Sequence, residues 1–403
     1  KQYLATYPTG RFKAEGQDLL VAALANTSNY REALQLYESL PAQTATNRKL
    51  LPKLLYNRAQ EEINDGKDGA AETLLNRALG LPDNEEVKPL LYFWKAELAY
   101  RKADYATAAQ YLQDYLKKPL VNAEANADNA RYTLGYCQLM MQQYAAAQQT
   151  WESLQQARFA NPAQKQDAAI RLADAYFMQK NFGKAKPLYT EGLTNRTPFA
   201  DYALYQLGVI AGAENRTDQK IKELERIEKE YPNSVYAPMA NMEIAKTYLA
   251  DEAYKNAIGW LNKVIAAKSG ESLKPAAWLK LGLAQYNLGN NNDALNSFSA
   301  LLKAYPESPE ADEAVDNVRS ILIEQGKAGE FITFMNNAGR RLDGAVADSL
   351  SFVAAELLMS EGKKEQALNG FTGYLKQFPQ GRYVLPATWF AAELYRGKKE
   401  MPG

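Results

Sequence analysis

Apolar residues recur three and four positions apart along most of the chain, the period of an amphipathic helix. Between Pro275 and Leu288 they fall at Ala277, Trp278, Leu281, Ala284 and Leu288. Gly289-Asn290-Asn291-Asn292 interrupts the run, and Asp293 stands where a helix cap is expected. A second run follows at Ala294, Leu295, Phe298, Leu301 and Leu302. Tyr305-Pro306 closes it, because proline has no N–H to donate and disfavours α backbone in its predecessor. Strand-like alternation is nearly absent. The pattern predicts an all-α chain built from antiparallel helix pairs.

The pair repeats. Tyr3-Leu4-Ala5-Thr6-Tyr7-Pro8-Thr9-Gly10-Arg11-Phe12 and Tyr374-Leu375-Lys376-Gln377-Phe378-Pro379-Gln380-Gly381-Arg382-Tyr383 are nearly one phrase, echoed at Tyr231-Pro232 and Tyr305-Pro306. Prolines 8, 82, 119, 232, 306 and 379 are 74, 37, 113, 74 and 73 residues apart, near-multiples of about 37. A small residue precedes a large apolar one by four positions at Ala33/Tyr37, Ala71/Leu75, Ala108/Leu112, Ala147/Trp151, Ala185/Tyr189, Ala257/Leu261, Ala294/Phe298 and Ala367/Phe371. Lys220 with Leu224 keeps the register where the alanine is replaced, and residues 310–336 hold a weaker copy.

Trp278-x2-Leu281-Gly282, then Ala294-x3-Phe298, then Pro306 resembles the tetratricopeptide (TPR) pattern W-x2-L-G-x2-Y…A-x3-F…P. Tyr286 falls one place later than the family tyrosine. Leu134-Gly135 and Leu207-Gly208 repeat the Leu-Gly pair, and Ala173-x2-Tyr176 and Ala245-x2-Tyr248 the small residue and tyrosine. The resemblance implies a right-handed superhelical solenoid of about ten repeats over residues 1–403. The expected repeats are 11–45, 46–83, 84–122, 123–160, 161–196, 197–233, 234–270, 271–307, 308–343 and 344–380, with partial repeats at 1–10 and 381–403. Lys1 to Tyr7 looks like the tail of a second helix, and Pro386 to Tyr395 like a first helix without its partner. The expectation is a processed or trimmed fragment of a longer protein.

A narrower phrase, Tyr231-Pro232-x-Ser234-x-Tyr236-Ala237-x2-Ala240-x3-Ile244-Ala245-x2-Tyr248 followed by Tyr254-x2-Ala257-Ile258, is similar to bacterial cell-envelope TPR proteins. Among these are outer-membrane assembly lipoproteins and periplasmic TPR partners of the Tol–Pal system. That likeness implies a periplasmic or outer-membrane-associated scaffold, with the cytoplasm as the alternative.

Composition narrows the chemistry. Among 403 residues there is no histidine and one cysteine, Cys137. This removes Ser-His-Asp and Cys-His pairs, His-ligated zinc, and intrachain disulfides. Cys137 reads as a buried structural thiol. No two glycines stand two apart, no Gly-Lys pair precedes Ser or Thr, and no G-x-S-x-G occurs. Neither a catalytic residue nor a cofactor or metal site is expected. Asp174 is the one acid singled out, read as a solvated or ion-paired groove residue. The 47 basic and 47 acidic residues balance, which disfavours nucleic acid as partner. No apolar run approaches the 18 or so residues of a membrane span.

What remains is surface. In the TPR family the first helices line a concave face, and the groove positions stand at offsets −18, −15, −11 and −8 from the repeat alanine. These nominate Tyr56; Phe93 and Tyr100; Tyr132, Tyr136 and Leu139; Ile170, Asp174 and Phe177; Tyr202 and Tyr205; Met239, Met242 and Lys246; and Leu279, Leu283 and Tyr286. Tyrosine offers rigid contact area with a polar tip, and methionine adapts to varied partners. The expected function is a non-catalytic scaffold that binds another protein or a peptide in its concave groove. The alternative is an accessory module of a larger envelope enzyme or receptor. Of the charged groove positions only Lys246 suits a carboxylate clamp, so no preference for a free C-terminal carboxylate is expected.

Overall fold

A computed structural model describes residues 1–122, 124–157, 161–325, 327, 330–340 and 344–399. Residues 123, 160 and 343 at expected repeat boundaries, parts of the weak copy at 310–336, Gly326 of one Gly-Lys pair and residues 400–403 lie outside the described residues. Among the described residues the chain forms helices and no strand.

The helices come in successive pairs. They are α1 (Gln2–Thr6), α2 (Lys13–Asn26), α3 (Tyr30–Ser39), α4 (Ala45–Asn64), α5 (Asp68–Leu79), α6 (Lys88–Arg101) and α7 (Tyr105–Lys117). Then follow α8 (Ala127–Met140), α9 (Tyr144–Gln155), α10 (Pro162–Met178), α11 (Phe182–Thr194), α12 (Ala200–Ala213), α13 (Thr217–Glu230), α14 (Ala237–Ala250) and α15 (Tyr254–Ala266). The remainder are α16 (Lys274–Asn287), α17 (Asn291–Ala304), α18 (Pro309–Glu324), α19 (Phe331–Asn337), α20 (Gly344–Ser360), α21 (Lys364–Gln377) and α22 (Val384–Lys399). The chain divides into two compact units, Lys1–Ala203 and Leu204–Gly403, with the boundary inside α12. In the first, α4 packs on α5, α6 on α7, α8 on α9 and α10 on α11; in the second, α14 packs on α15, α16 on α17 and α20 on α21.

The repeat alanines explain the pairing. Ala33, Ala71, Ala108, Ala147, Ala185, Ala257, Ala294 and Ala367 are all fully buried, and the large residue four positions on is buried with each. The first helix answers with its own small residue. A Cβ on Gly282 would lie 2.5 Å from Phe298 Cε1, one on Gly208 would lie 2.6 Å from Leu224 Cδ2, and one on Gly135 would enter the Trp151 indole. The helix axes therefore approach until an aromatic or leucine side chain lies on bare backbone, a fit that close packing makes sensitive to one methyl group.

Prolines act as expected at the second-helix ends. Tyr7, Tyr231, Tyr305 and Phe378 take nearly one backbone conformation (φ −124 to −137, ψ 56 to 68) just before Pro8, Pro232, Pro306 and Pro379. Pro89, Pro238 and Pro275 sit in the first turn of α6, α14 and α16, where a missing N–H costs nothing. Pro52 occupies the same place in the repeat but lies inside α4, because that helix starts early, at Ala45 behind a Thr44 cap. Asp293 is not the cap of α17. That helix begins at Asn291 after Asn290, which puts Asp293 in the first turn, where a carboxylate meets the positive end of the helix dipole.

A backbone repeat accompanies the sequence repeat. Ser28, Gly66, Ala103, Gln142, Lys180, Asn215, Glu252, Gly289 and Gly362 all have φ between 54° and 78°. Each stands five residues before a repeat alanine or Lys220. Only three are glycine, so the other turns hold side chains in left-handed backbone at a cost of about 1–2 kcal/mol each. Changing Ala103 or Glu252 to Gly should raise unfolding free energy by about 0.5–1 kcal/mol, the relief less the entropy that glycine adds to the unfolded chain. Urea melts of the variants test this; an unchanged or lower midpoint would refute it.

Candidate functional site

The residues nominated by the repeat fall into two environments. Tyr56, Phe93, Ile170, Met242 and Leu279, all at offset −15, are buried. Tyr56, Phe93 and Met242 thus pack in the core, whereas Tyr132 and Tyr205 at the same offset are half-buried. Tyr56 extends to the loop before α8, where its Oη accepts from Asn122 Nδ2 at 3.1 Å, and Phe93 packs edge-on to Tyr115 at 5.3 Å. Cys137 is buried as expected, and burial pushes its thiol up to about 12.

In the second unit the remaining candidates are scattered. Tyr205 is half-buried and stacks on Tyr236 at 5.8 Å, and Met239 is exposed. Lys246 is exposed and donates to Glu243 at 2.9 Å, while the same carboxylate accepts from Lys220 at 3.0 Å. Half-buried Tyr286 donates to Glu324 on α18, at 2.7 Å to one oxygen and 2.8 Å to the other. These are separate contacts, not one site.

The first unit gathers its candidates. Helix α10 places Asp167, Arg171 and Asp174 at i, i+4 and i+7, on one face. Tyr132 and Tyr136 come from α8, Tyr189 from α11, and Phe199 and Tyr202 from the start of α12. Asp167 Oδ2 accepts from Tyr132 Oη at 2.7 Å and from Tyr136 Oη, and its Oδ1 lies 3.4 Å from Arg171 Nε. Asp174 Oδ1 accepts from Tyr189 Oη at 2.5 Å and Tyr202 Oη at 2.7 Å, while its Oδ2 accepts from Arg171 Nη1 at 2.9 Å. Arg171 Nε also donates to Tyr136 Oη at 3.1 Å. The guanidinium carbon lies 5.9 Å from the Tyr136 ring and 5.6 Å from those of Phe199 and Tyr202, within cation–π range.

Both carboxylates are buried, and one guanidinium faces the two. Burial opposes the charge on Arg171, but the Tyr136 oxygen and the Asp174 and Asp167 carboxylates outweigh it and raise its affinity for the proton. Burial, reinforced by the hydrogen bond to Asp167, pushes the Tyr136 hydroxyl up to about 12 and Tyr132 well above its ordinary value. Burial beside Asp174 raises Tyr189 as well. The phenols are therefore donors, and each carboxylate oxygen bonded to one is held in place. No carboxylate pair is left open to a substrate, so the arrangement presents fixed aromatic and guanidinium surface.

Of the nominated residues, Tyr132, Tyr136, Asp174 and Tyr202 meet here. Half-buried Leu139 and Phe177 lie further along α8 and α10, and half-buried Tyr100 packs on Tyr105 at 5.8 Å. Sequence reasoning names neither Asp167 nor Arg171, although Asp167 stands at the −18 offset. A signal was present in the spacing: Tyr132, Asp167 and Tyr202 are 35 residues apart in turn, as are Tyr136 and Arg171. A polar cleft lies elsewhere, between Ser28–Gln35 and Arg58–Asp65; its Arg58 is already bound to Glu61 and Glu62. Among the described residues no cluster of His, Cys, Asp and Glu could hold a metal, and no helix is long and apolar enough to cross a membrane.

No curated protein matches the chain. Among solved structures, a tetratricopeptide repeat protein from Parabacteroides merdae is 14% identical, covers 76% of this chain and 99% of its own, and has a TM-score of 0.41. PilF of Pseudomonas aeruginosa is 14% identical over 56% of this chain and 94% of its own, at 0.36. A signal-transduction ATPase with a tetratricopeptide repeat sensor from Pyrococcus horikoshii is 13% identical over 82% of this chain and 52% of its own, at 0.48. At these values nothing about function passes from them to this chain. Over residues 200–350 the sequence matches the tetratricopeptide repeat-like domain family, and that is what the chain is similar to.

Proposed function

We propose that the chain is one tetratricopeptide-like array of about ten repeats and works as a non-catalytic scaffold, binding a protein or peptide segment along its first helices. The family matched at residues 200–350 supports the class, since tetratricopeptide-like folds commonly mediate protein–protein interaction. The observation that carries the site is the half-buried surface of Tyr136, Arg171, Phe199 and Tyr202, fixed from beneath by Asp167 and Asp174. Tyrosine and arginine dominate binding hot spots, and side chains already ordered lose little entropy when a partner arrives. The envelope setting belongs to the proposal through the Tyr231–Ile258 phrase.

Peptides selected on the immobilised full chain test the site. Phe199→Ala removes a ring over the guanidinium without touching a hydrogen bond of the network. It should weaken the selected peptides at least tenfold in fluorescence anisotropy, with the circular dichroism unchanged. Equal affinity for the variant would move binding elsewhere. Amidating the peptide C-terminus should leave affinity unchanged, since no carboxylate clamp is expected.

A further inference from the structure

Between α6 and α10 the tyrosine surface of the first unit is edged by acids. At the groove offsets of α6, α8 and α10 stand Glu97, Asp167 and Asp174, and no lysine or arginine. Arg171 is shared by Asp167 at 3.4 Å and Asp174 at 2.9 Å. Arg101, one turn beyond Glu97, is shared by Glu97 at 3.1 Å and Asp68 at 3.2 Å. Each of these guanidiniums answers two carboxylates and leaves one negative charge uncompensated. Glu97 offers Oε1 to Arg101, and its Oε2 accepts no hydrogen bond among the described residues. Lys95 and Arg131, on the same helices, are engaged elsewhere: Lys95 Nζ lies 5.0 Å from the Tyr111 ring of α7, and Arg131 lies 3.8 Å from Asp128. Burial raises the Tyr100 hydroxyl, and the carboxylates that add to it are Glu97 and Asp167. Tyr100 thus stands in the field of acids from both α6 and α10.

We infer that the segment bound on this surface is basic, and that one of its lysine or arginine side chains lies against the Tyr100, Tyr132 and Tyr136 rings with Glu97 as its counter-ion. The inference rests on the reading of these first helices as a peptide-binding face and names the chemistry of the peptide. A cation gains from the faces of tyrosine rings and from a carboxylate with an oxygen to spare. Tyr132 and Tyr136 pack edge-to-face at 5.2 Å, and Tyr132 donates its proton to Asp167 at 2.7 Å, which leaves its oxygen lone pairs for an incoming N–H. A partner carboxylate would meet the opposite: Arg171 is already matched by two acids, and Glu97 repels it. The chain as a whole carries 47 basic and 47 acidic residues, so the complementarity belongs to this face and selects the partner there.

Peptides selected from a random library on the immobilised full chain should be enriched in lysine and arginine over the library. Glu97→Gln should weaken a selected peptide about fivefold in fluorescence anisotropy, and replacing the peptide's basic anchor with norleucine should do the same. Combined, the two losses should not add, because each removes the same pair. The amide keeps an oxygen for Arg101, so circular dichroism should stay unchanged. Selected peptides without a basic residue, additive losses, or equal affinity for Glu97→Gln while Phe199→Ala weakens binding would overturn the inference and leave the binding face standing. Peptides indifferent to both substitutions, or a selection that yields none, would remove the face and the inference together.

Discussion

Replacing Arg171 with Ala should lower the unfolding free energy of the first unit by about 3–5 kcal/mol, the range for removing one partner from a buried charge network. The guanidinium is what faces both Asp167 and Asp174, and their side chains are 9% and 12% exposed. Without it, two carboxylates seven residues apart on one helix remain buried, with phenols as their remaining hydrogen-bond partners. Arg171→Lys should recover part of the loss, since an ammonium restores charge but not the planar fork that meets both acids. The triple variant Arg171→Leu, Asp167→Asn, Asp174→Asn should be more stable than Arg171→Ala, because it removes the uncompensated charge. Urea denaturation of the set checks this. A loss below about 1 kcal/mol for Arg171→Ala would mean the acids are solvated, as surface pairs are.

The second large effect concerns Trp151, the largest fully buried side chain. Trp151→Ala should cost about 3–5 kcal/mol by opening a cavity against α8. The more informative result is its coupling to Gly135, whose absent Cβ makes room for the indole. In the native chain Gly135→Ala should cost about 1–3 kcal/mol by overpacking. In the Trp151→Ala background the same change should stabilise by up to about 1 kcal/mol, since alanine suits a helix better than glycine. That sign reversal is a coupling between neighbours of the kind a double-mutant cycle isolates. Additive costs would show that helix approach is set elsewhere.

Pairing of helices was legible in the sequence because one packing solution is written many times. A buried alanine, a large residue four places on, and proline after the second helix are each tied to a single physical event, and each repeats. Two features escaped for related reasons. The left-handed turn was visible only at Gly66, Gly289 and Gly362, because the flanking helices force the same backbone on Ser, Ala, Gln, Lys, Asn and Glu. Asp167, Arg171 and Asp174 look like an ordinary solvated helix face when read alone. Their burial depends on Tyr189 of the paired helix and on tyrosines of the repeats on either side, distances of 15 to 35 residues that a short local window does not span. Of the residues at the groove offsets, Tyr132, Tyr136, Asp174 and Tyr202 come together, while most of those at −15 are buried.

The left-handed turns have a practical consequence. Each is exposed and recurs at the same point of every pair that has one, from Ser28 to Gly362. The native thiol, Cys137, is buried and protonated at neutral pH, so it should compete poorly for thiol reagents. Single cysteines placed at these turns would thus form a set of evenly graduated attachment points. Pairs of spin labels or dyes within one unit, such as Ser28 with Ala103 or Glu252 with Gly362, could measure whether that unit lengthens or shortens when a selected peptide is added.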